Sequence, residues 1–144
     1  MFARRVALCA VCACALALSA CGGGPKRKPT FPTEGKLLLN GKAYGGITVF
    51  LYSTDPNETE PTRPFGVTNP DGTFTLTTSA QNDGAPAGEY AVTLLYEPLD
   101  SPLMRAKGPK PPAIDRKFAD PKTTPLRVKV AENEKNVLEP LDAK

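Results

Sequence analysis

An all-β sandwich is the fold this sequence predicts, and three observations predict it. Apolar residues recur at every second position in several short runs. Glycine and proline, 12 and 16 of the 144 residues, fall between those runs instead of in one low-complexity block. Beyond the first twenty residues, no segment keeps helical apolar spacing for more than two turns. Seven or eight short strands with frequent turn signals make a β-sandwich.

The chain opens on a different kind of element. Residues 1–5 carry Arg4 and Arg5 and no acid, and residues 6–20 run apolar without a charge. A basic start, an apolar stretch of this length and small residues at its end form a bacterial secretory leader. The run is too short for a comfortable transmembrane helix, which needs about 20 apolar residues. It closes on Leu18-Ser19-Ala20-Cys21, which resembles the lipobox of bacterial lipoproteins. That resemblance implies a diacylglyceryl group on the Cys21 thiol, with signal peptidase II recognising Leu18, Ser19 and Ala20 and cutting before Cys21. Two or three acyl chains, each contributing about 0.8 kcal/mol per buried methylene, anchor stably where one would not. The expected mature protein is tethered to a membrane and does not span it.

Removal of the leader takes Cys9, Cys12 and Cys14 with it, and lipid consumes Cys21. No thiol then remains for a disulfide or a zinc site, so the domain rests on its core alone. Two of the 18 basic residues also leave, and 16 then face 15 acidic ones. This near-neutral balance gives no sign of nucleic-acid binding. Lys26-Arg27-Lys28 is the local exception, either touching anionic headgroups at about 1 kcal/mol per charge or lying solvated in the linker.

Residues 22–33 are rich in glycine and proline without an apolar period, and read as a flexible tether. Lys36-Leu37-Leu38-Leu39-Asn40 is a short strand turned by Asn40-Gly41. Ile47, Val49 and Leu51 alternate with Thr48, Phe50 and Tyr52, so this strand is apolar on both faces and is expected to be central. Residues 53–64 are polar and proline-broken, hence a loop. Its Asn57-Glu58-Thr59 sequon has no glycosylating partner behind a bacterial leader. Residues 65–68 and 73–78 flank Asn69-Pro70-Asp71-Gly72 and read as a hairpin, with Phe74 and Leu76 inward and Thr73, Thr75 and Thr77 outward. Tyr90, Val92, Leu94 and Tyr96 alternate with Glu89, Ala91, Thr93 and Leu95 in the longest strand. Residues 97–124 hold six prolines, with only Ile114-Asp115-Arg116-Lys117-Phe118 resembling an extended piece. Leu126, Val128 and Val130 mark a further strand, and residues 137–141 a last one.

Three of these stretches carry a more specific likeness. Gly35-Lys36-Leu37 with Asn40-Gly41-Lys42-Ala43-Tyr44-Gly45-Gly46-Ile47-Thr48-Val49 resembles the opening of carboxypeptidase regulatory-like, or transthyretin-like, domains. Thr68-Asn69-Pro70-Asp71-Gly72-Thr73-Phe74-Thr75-Leu76 resembles their "TDxDGxFxL" hairpin, and Gly88-Glu89-Tyr90-Ala91-Val92 their "GxYxV" strand. With the lipobox, residues 117–129 are similar to small secreted lipoproteins of this type in planctomycete-like bacteria. The chain departs from the family at Asn69, usually Asp, and at Tyr44, usually Pro or a small residue. The resemblance implies a prealbumin-like, Ig-like sandwich of seven strands and no catalytic residues. The expected organisation is a leader over residues 1–20, an anchored Cys and flexible linker over 21–34, and the sandwich over 35–144.

The absence of histidine rules out a Ser-His-Asp triad, a Cys-His pair and a His-ligated metal. Carboxylates such as Asp71, Asp83, Glu58 with Glu60, and Asp115 with Asp120 lie in turns and solvated loops, not where a cleft would raise one pKa. Asp71 before Gly72 is ordinary turn chemistry more than a calcium loop, which needs several acidic ligands at alternate positions. No catalytic residue, metal or cofactor is therefore expected. Phe50, Tyr52, Tyr90 and Tyr96 could form an aromatic platform for sugar, although on alternating strands such residues mostly make core. Exposed aromatics aligned on one sheet face would favour sugar. Leu103, Met104, Lys107, Lys110, Arg116 and Lys117 make the 97–124 loop either an interaction surface or a strap packed over the sandwich. The expected function is that of a non-catalytic structural or protein-interaction module, lipid-anchored outside the cytoplasm at the cell membrane or outer membrane. A carbohydrate- or peptide-binding accessory protein of an envelope enzyme or transporter is the alternative. The expected partners are the membrane and an envelope protein or glycan, not nucleic acid.

Overall fold

The computed structural model describes residues 27–59, 61–96 and 110–144. Its strands, among these residues, are β1 (Thr30–Phe31), β2 (Thr33–Leu39), β3 (Thr48–Ser53), β4 (Phe65–Val67), β5 (Thr73–Thr75), β6 (Ala85–Pro86), β7 (Gly88–Leu95), β8 (Arg127–Val130), β9 (Asn136–Val137) and β10 (Leu141–Ala143). The described residues are all-β, and the one helical element among them is a single 3₁₀ turn at Arg116–Phe118.

The strands form two main sheets. One has the order β4-β3-β7-β8 and is antiparallel throughout. The other is built on β2, which pairs antiparallel with β5 on one edge and parallel with β9 and β10 on the other. β1 and β6 form a small antiparallel pair of their own. Period two decides which residues face inward. Ile47, Val49, Leu51, Tyr90, Val92, Leu94 and Val130 from the first sheet join Leu37, Leu39, Phe74, Leu76, Leu141 and Ala143 from the second in one buried cluster. At about 25 cal/mol per Å² of apolar surface removed from water, this shared core is the main stabilising term, since the described residues include no cysteine to staple them. Phe74 fits because its register partner is Gly35: a Cβ there would lie 2.6 Å from the ring.

Several expectations change. The tether expected to reach residue 34 is shorter, because Thr30 and Phe31 pair with Pro86 and Ala85 and β2 starts at Thr33. The strand count exceeds seven because edge segments are broken: β9 and β10 share one edge of β2 with Pro140, which has no N–H, between them. Ile114 to Phe118 is not extended; the Asp115 carboxylate accepts the Lys117 N–H at 2.9 Å and caps a 3₁₀ turn. The expected hairpin across residues 69–72 is splayed. Its turn closes through the Asn69 N–H to the Thr73 carbonyl (2.7 Å), and its far end through reciprocal bonds between Phe65 and Thr77 (2.9 and 2.8 Å). Between these points β4 pairs with β3 and β5 pairs with β2, so the turn joins the two sheets. Gly66 permits this, since a Cβ there would lie 2.6 Å from the Thr75 carbonyl oxygen.

β3 is flanked by β4 and β7 as expected of a central strand, but its outward Phe50 and Tyr52 are only half-buried. The strand buried on both faces is β7, whose outward Ala91 and Thr93 are small and stand beside Tyr52 and Phe50. The opposite side of the domain is open. Among the described residues β8 and β10 end their sheets, and a cleft of about 520 Å³ lies between β8 and the β9–β10 edge. At one end of it the Asn136 carboxamide accepts the Ala131 N–H and donates to the Ala131 carbonyl, each at 3.0 Å, which joins the two edges.

Candidate functional site

Cys21, Leu18, Ser19 and Ala20 lie outside the described residues, as do Leu103, Met104 and Lys107. Of the basic run Lys26-Arg27-Lys28, Lys28 is committed: its ammonium pairs with Glu58 in the β3–β4 loop. Contact with Lys28, followed by a hydrogen bond to Ser53, holds the Glu58 carboxyl below its ordinary value. Lys117 is also engaged, 4.9 Å from the Phe118 ring centroid and donating to the Lys144 carbonyl at 2.8 Å.

The aspartates singled out in the sequence accept bonds from the backbone, and Glu60 lies outside the described residues. Asp71 Oδ1 accepts the Thr73 hydroxyl at 2.6 Å and the Thr73 N–H at 2.9 Å, and these bonds hold its pKa down. Burial pushes the Asp83 carboxyl up. Backbone N–H donors from Thr78, Ser79 and Ala80, at 2.6 to 3.0 Å, outweigh that and leave it below its ordinary value. Asp115 caps the 3₁₀ turn, and Asp120 Oδ1 accepts the Lys122 N–H at 2.8 Å. Among the described residues no three of His, Cys, Asp and Glu come together as a metal site would require. No helix among them is long and apolar enough to cross a membrane.

The four candidate aromatics separate. Tyr90 is core; its hydroxyl donates to the Pro86 carbonyl at 2.8 Å, and burial, then the Glu58 charge, pushes its pKa up to about 12. Tyr96 is half-buried against the core. Phe50 and Tyr52 share the outer face of the β4-β3-β7-β8 sheet, where register brings them beside residues that sequence reasoning missed. Phe65 stands opposite Phe50, their ring centroids 6.2 Å apart and tilted by 40°. Val67 and Leu95 flank Thr48 from either side. The Arg63 guanidinium lies 5.0 Å from the Tyr52 ring centroid. Phe65, Val67 and Leu95 are exposed by 40%, 52% and 41%, although each is large and apolar. The signal for the first two was Gly66: an inward glycine in Phe-Gly-Val turns both neighbours to solvent. Across the same face β8 presents Arg127 and Lys129, opposite Ala91 and Glu89. The face thus grades from apolar at β4 to charged at β8, and it is the candidate functional surface.

No family model matches this chain, and no curated protein matches it. Among solved structures, the major plantain pollen allergen Pla l 1 aligns over 78% of this chain and 91% of its own, at 17% identity and a TM-score of 0.42. At that score the likeness carries no argument for this chain.

Proposed function

We propose that this chain is a lipid-anchored, non-catalytic module of the cell envelope that binds another envelope protein through the outer face of the β4-β3-β7-β8 sheet. The observation that carries the proposal is the gathering of Phe65, Val67 and Leu95, exposed, around half-buried Phe50 on one sheet face. A contiguous apolar patch edged by charge is the anatomy of a protein-interaction surface. The carbohydrate reading has less support: the Phe50 and Phe65 rings are tilted, Arg63 covers Tyr52, and Thr93 is buried. Sugar sites need flat rings beside free hydrogen-bonding groups. The transthyretin-like assignment belongs to the same proposal. In its support, the three family-like stretches fall on the turn into β3, the β4–β5 turn and the start of β7.

Two experiments test it. Metabolic labelling with palmitate should mark the wild-type protein and leave Cys21→Ser unlabelled; equal labelling would remove the anchor. Crosslinking in native membranes should recover the same envelope protein repeatedly with the wild type and lose it with the pair Phe65→Ser and Val67→Ser. Recovery unchanged by the pair would remove this face from the function.

A further inference from the structure

We infer that the folded domain is held in one orientation to the bilayer, with the Ser53–Thr59 and Ala131–Lys135 end facing the lipid and the Asn40-Gly41 end facing away. This rests on the anchor at Cys21 proposed above. Among the described residues, the N-terminal segment joins the sandwich at one end. Thr30 and Phe31 are paired to Pro86 and Ala85, and Thr33 stands opposite Asn136. Lys28 reaches that same end through Glu58. Register places Ser53 beside Tyr90 and Gly88 beside Val130 there. It places Leu39 beside Ala143, and Thr48 between Val67 and Leu95, at the opposite end.

Only residues 22–27 separate Cys21 from Lys28. The seven links across them span at most about 25 Å when fully extended. As a flexible chain they would average about 15 Å end to end. β2 alone, with its seven residues, is about 23 Å long. A domain turned over, with its far end on the lipid, would stretch the tether close to its limit. The joined end therefore stays near the bilayer. It also carries exposed Asp55, Glu132 and Glu134, together with the ion pair between Lys135 and Glu34. The outer sheet face then runs along the membrane normal, and its partner is a neighbour standing beside this protein at the same membrane.

The mature chain has no thiol besides Cys21, so one introduced cysteine gives one reporter. Full-length protein carrying Glu132→Cys or Lys42→Cys is processed in a bacterium, dye-labelled and reconstituted into phosphatidylcholine vesicles holding an acceptor-labelled lipid. Energy transfer is expected to be at least twofold higher from position 132 than from position 42. A twelve-residue Gly/Ser insertion after Gly24 should bring the two to within experimental scatter of each other. Equal transfer from both positions, in native-tether protein that floats with the vesicles, overturns the orientation and leaves the anchor standing. Native-tether protein that fails to float overturns the anchor and the orientation with it.

Discussion

Three backbone N–H groups, from Thr78, Ser79 and Ala80, converge on the Asp83 carboxylate, while the Asn82 N–H bonds the Thr77 hydroxyl beside it. Burial disfavours the charge, and the three donors more than offset that, so the folded-state pKa lies below the ordinary 3.8. A lowered folded pKa contributes stability that is complete above the unfolded value and is lost as pH falls through the folded one. Asp71, lowered by the Thr73 hydroxyl and N–H, acts with the same sign. The urea midpoint is therefore expected to fall steeply below about pH 4. Asp83→Asn should cost about 2 kcal/mol at neutral pH, the scale of hydrogen bonds to a charged group, and should flatten that acid limb. A variant with the wild-type midpoint at both pH values would show that the loop does not depend on this carboxylate. Gly84 is the other demanding position. Its φ is +84°, and a Cβ there would sit 1.8 Å from the Phe31 carbonyl oxygen. Gly84→Ala should destabilise by at least about 1–3 kcal/mol from backbone strain and should open the β1–β6 pair. Hydrogen exchange at Phe31 and Ala85 reports that opening directly.

At the scale of elements, Asn136 links two edges that no ladder joins. Asn136→Ala should cost about 2 kcal/mol for its two bonds to Ala131 and should leave the β3–β7 amides protected, as hydrogen exchange would show. Amides exchanging alike across both sheets would instead mean the clamp governs the whole fold. This clamp was not legible in the sequence, because an Asn after Glu-Lys in a polar turn looks like any turn residue. β2, β3 and β7 were legible, since Leu37 and Leu39, Val49 and Leu51, and Val92 and Leu94 each mark an inward face by period two. Pairing was not, because alternation names a face and not a neighbour. Asn69-Pro70-Asp71-Gly72 between two apolar runs promised a hairpin, and the close approach that Gly66 allows sends the two runs into different sheets. The candidate surface was half legible for the same reason. Phe50 and Tyr52 stood out as aromatics, whereas Phe65, Val67 and Leu95 joined them only once register set them on one face.

For the whole molecule, the exposed apolar face and the buried core should separate cleanly on mutation. The pair Phe65→Ser and Val67→Ser removes surface groups and should change stability by no more than about 0.5 kcal/mol per site. Leu51→Ala, fully buried in β3, should cost about 2–5 kcal/mol and shift the urea midpoint accordingly. A double surface variant as unstable as the core variant would mean that the face is structural and not a docking surface. The β8 edge bears on the membrane anchoring proposed above. Chains confined to a surface meet one another far more often than the same number in solution, and an unpaired strand edge invites them to join sheet to sheet. β8 is only four residues long, and its alternate positions are Arg127 and Lys129. Two copies aligned edge to edge would set like charges against each other, so in the anchored layer proposed above the molecules are expected to remain single domains, each with its apolar face open to a different neighbour.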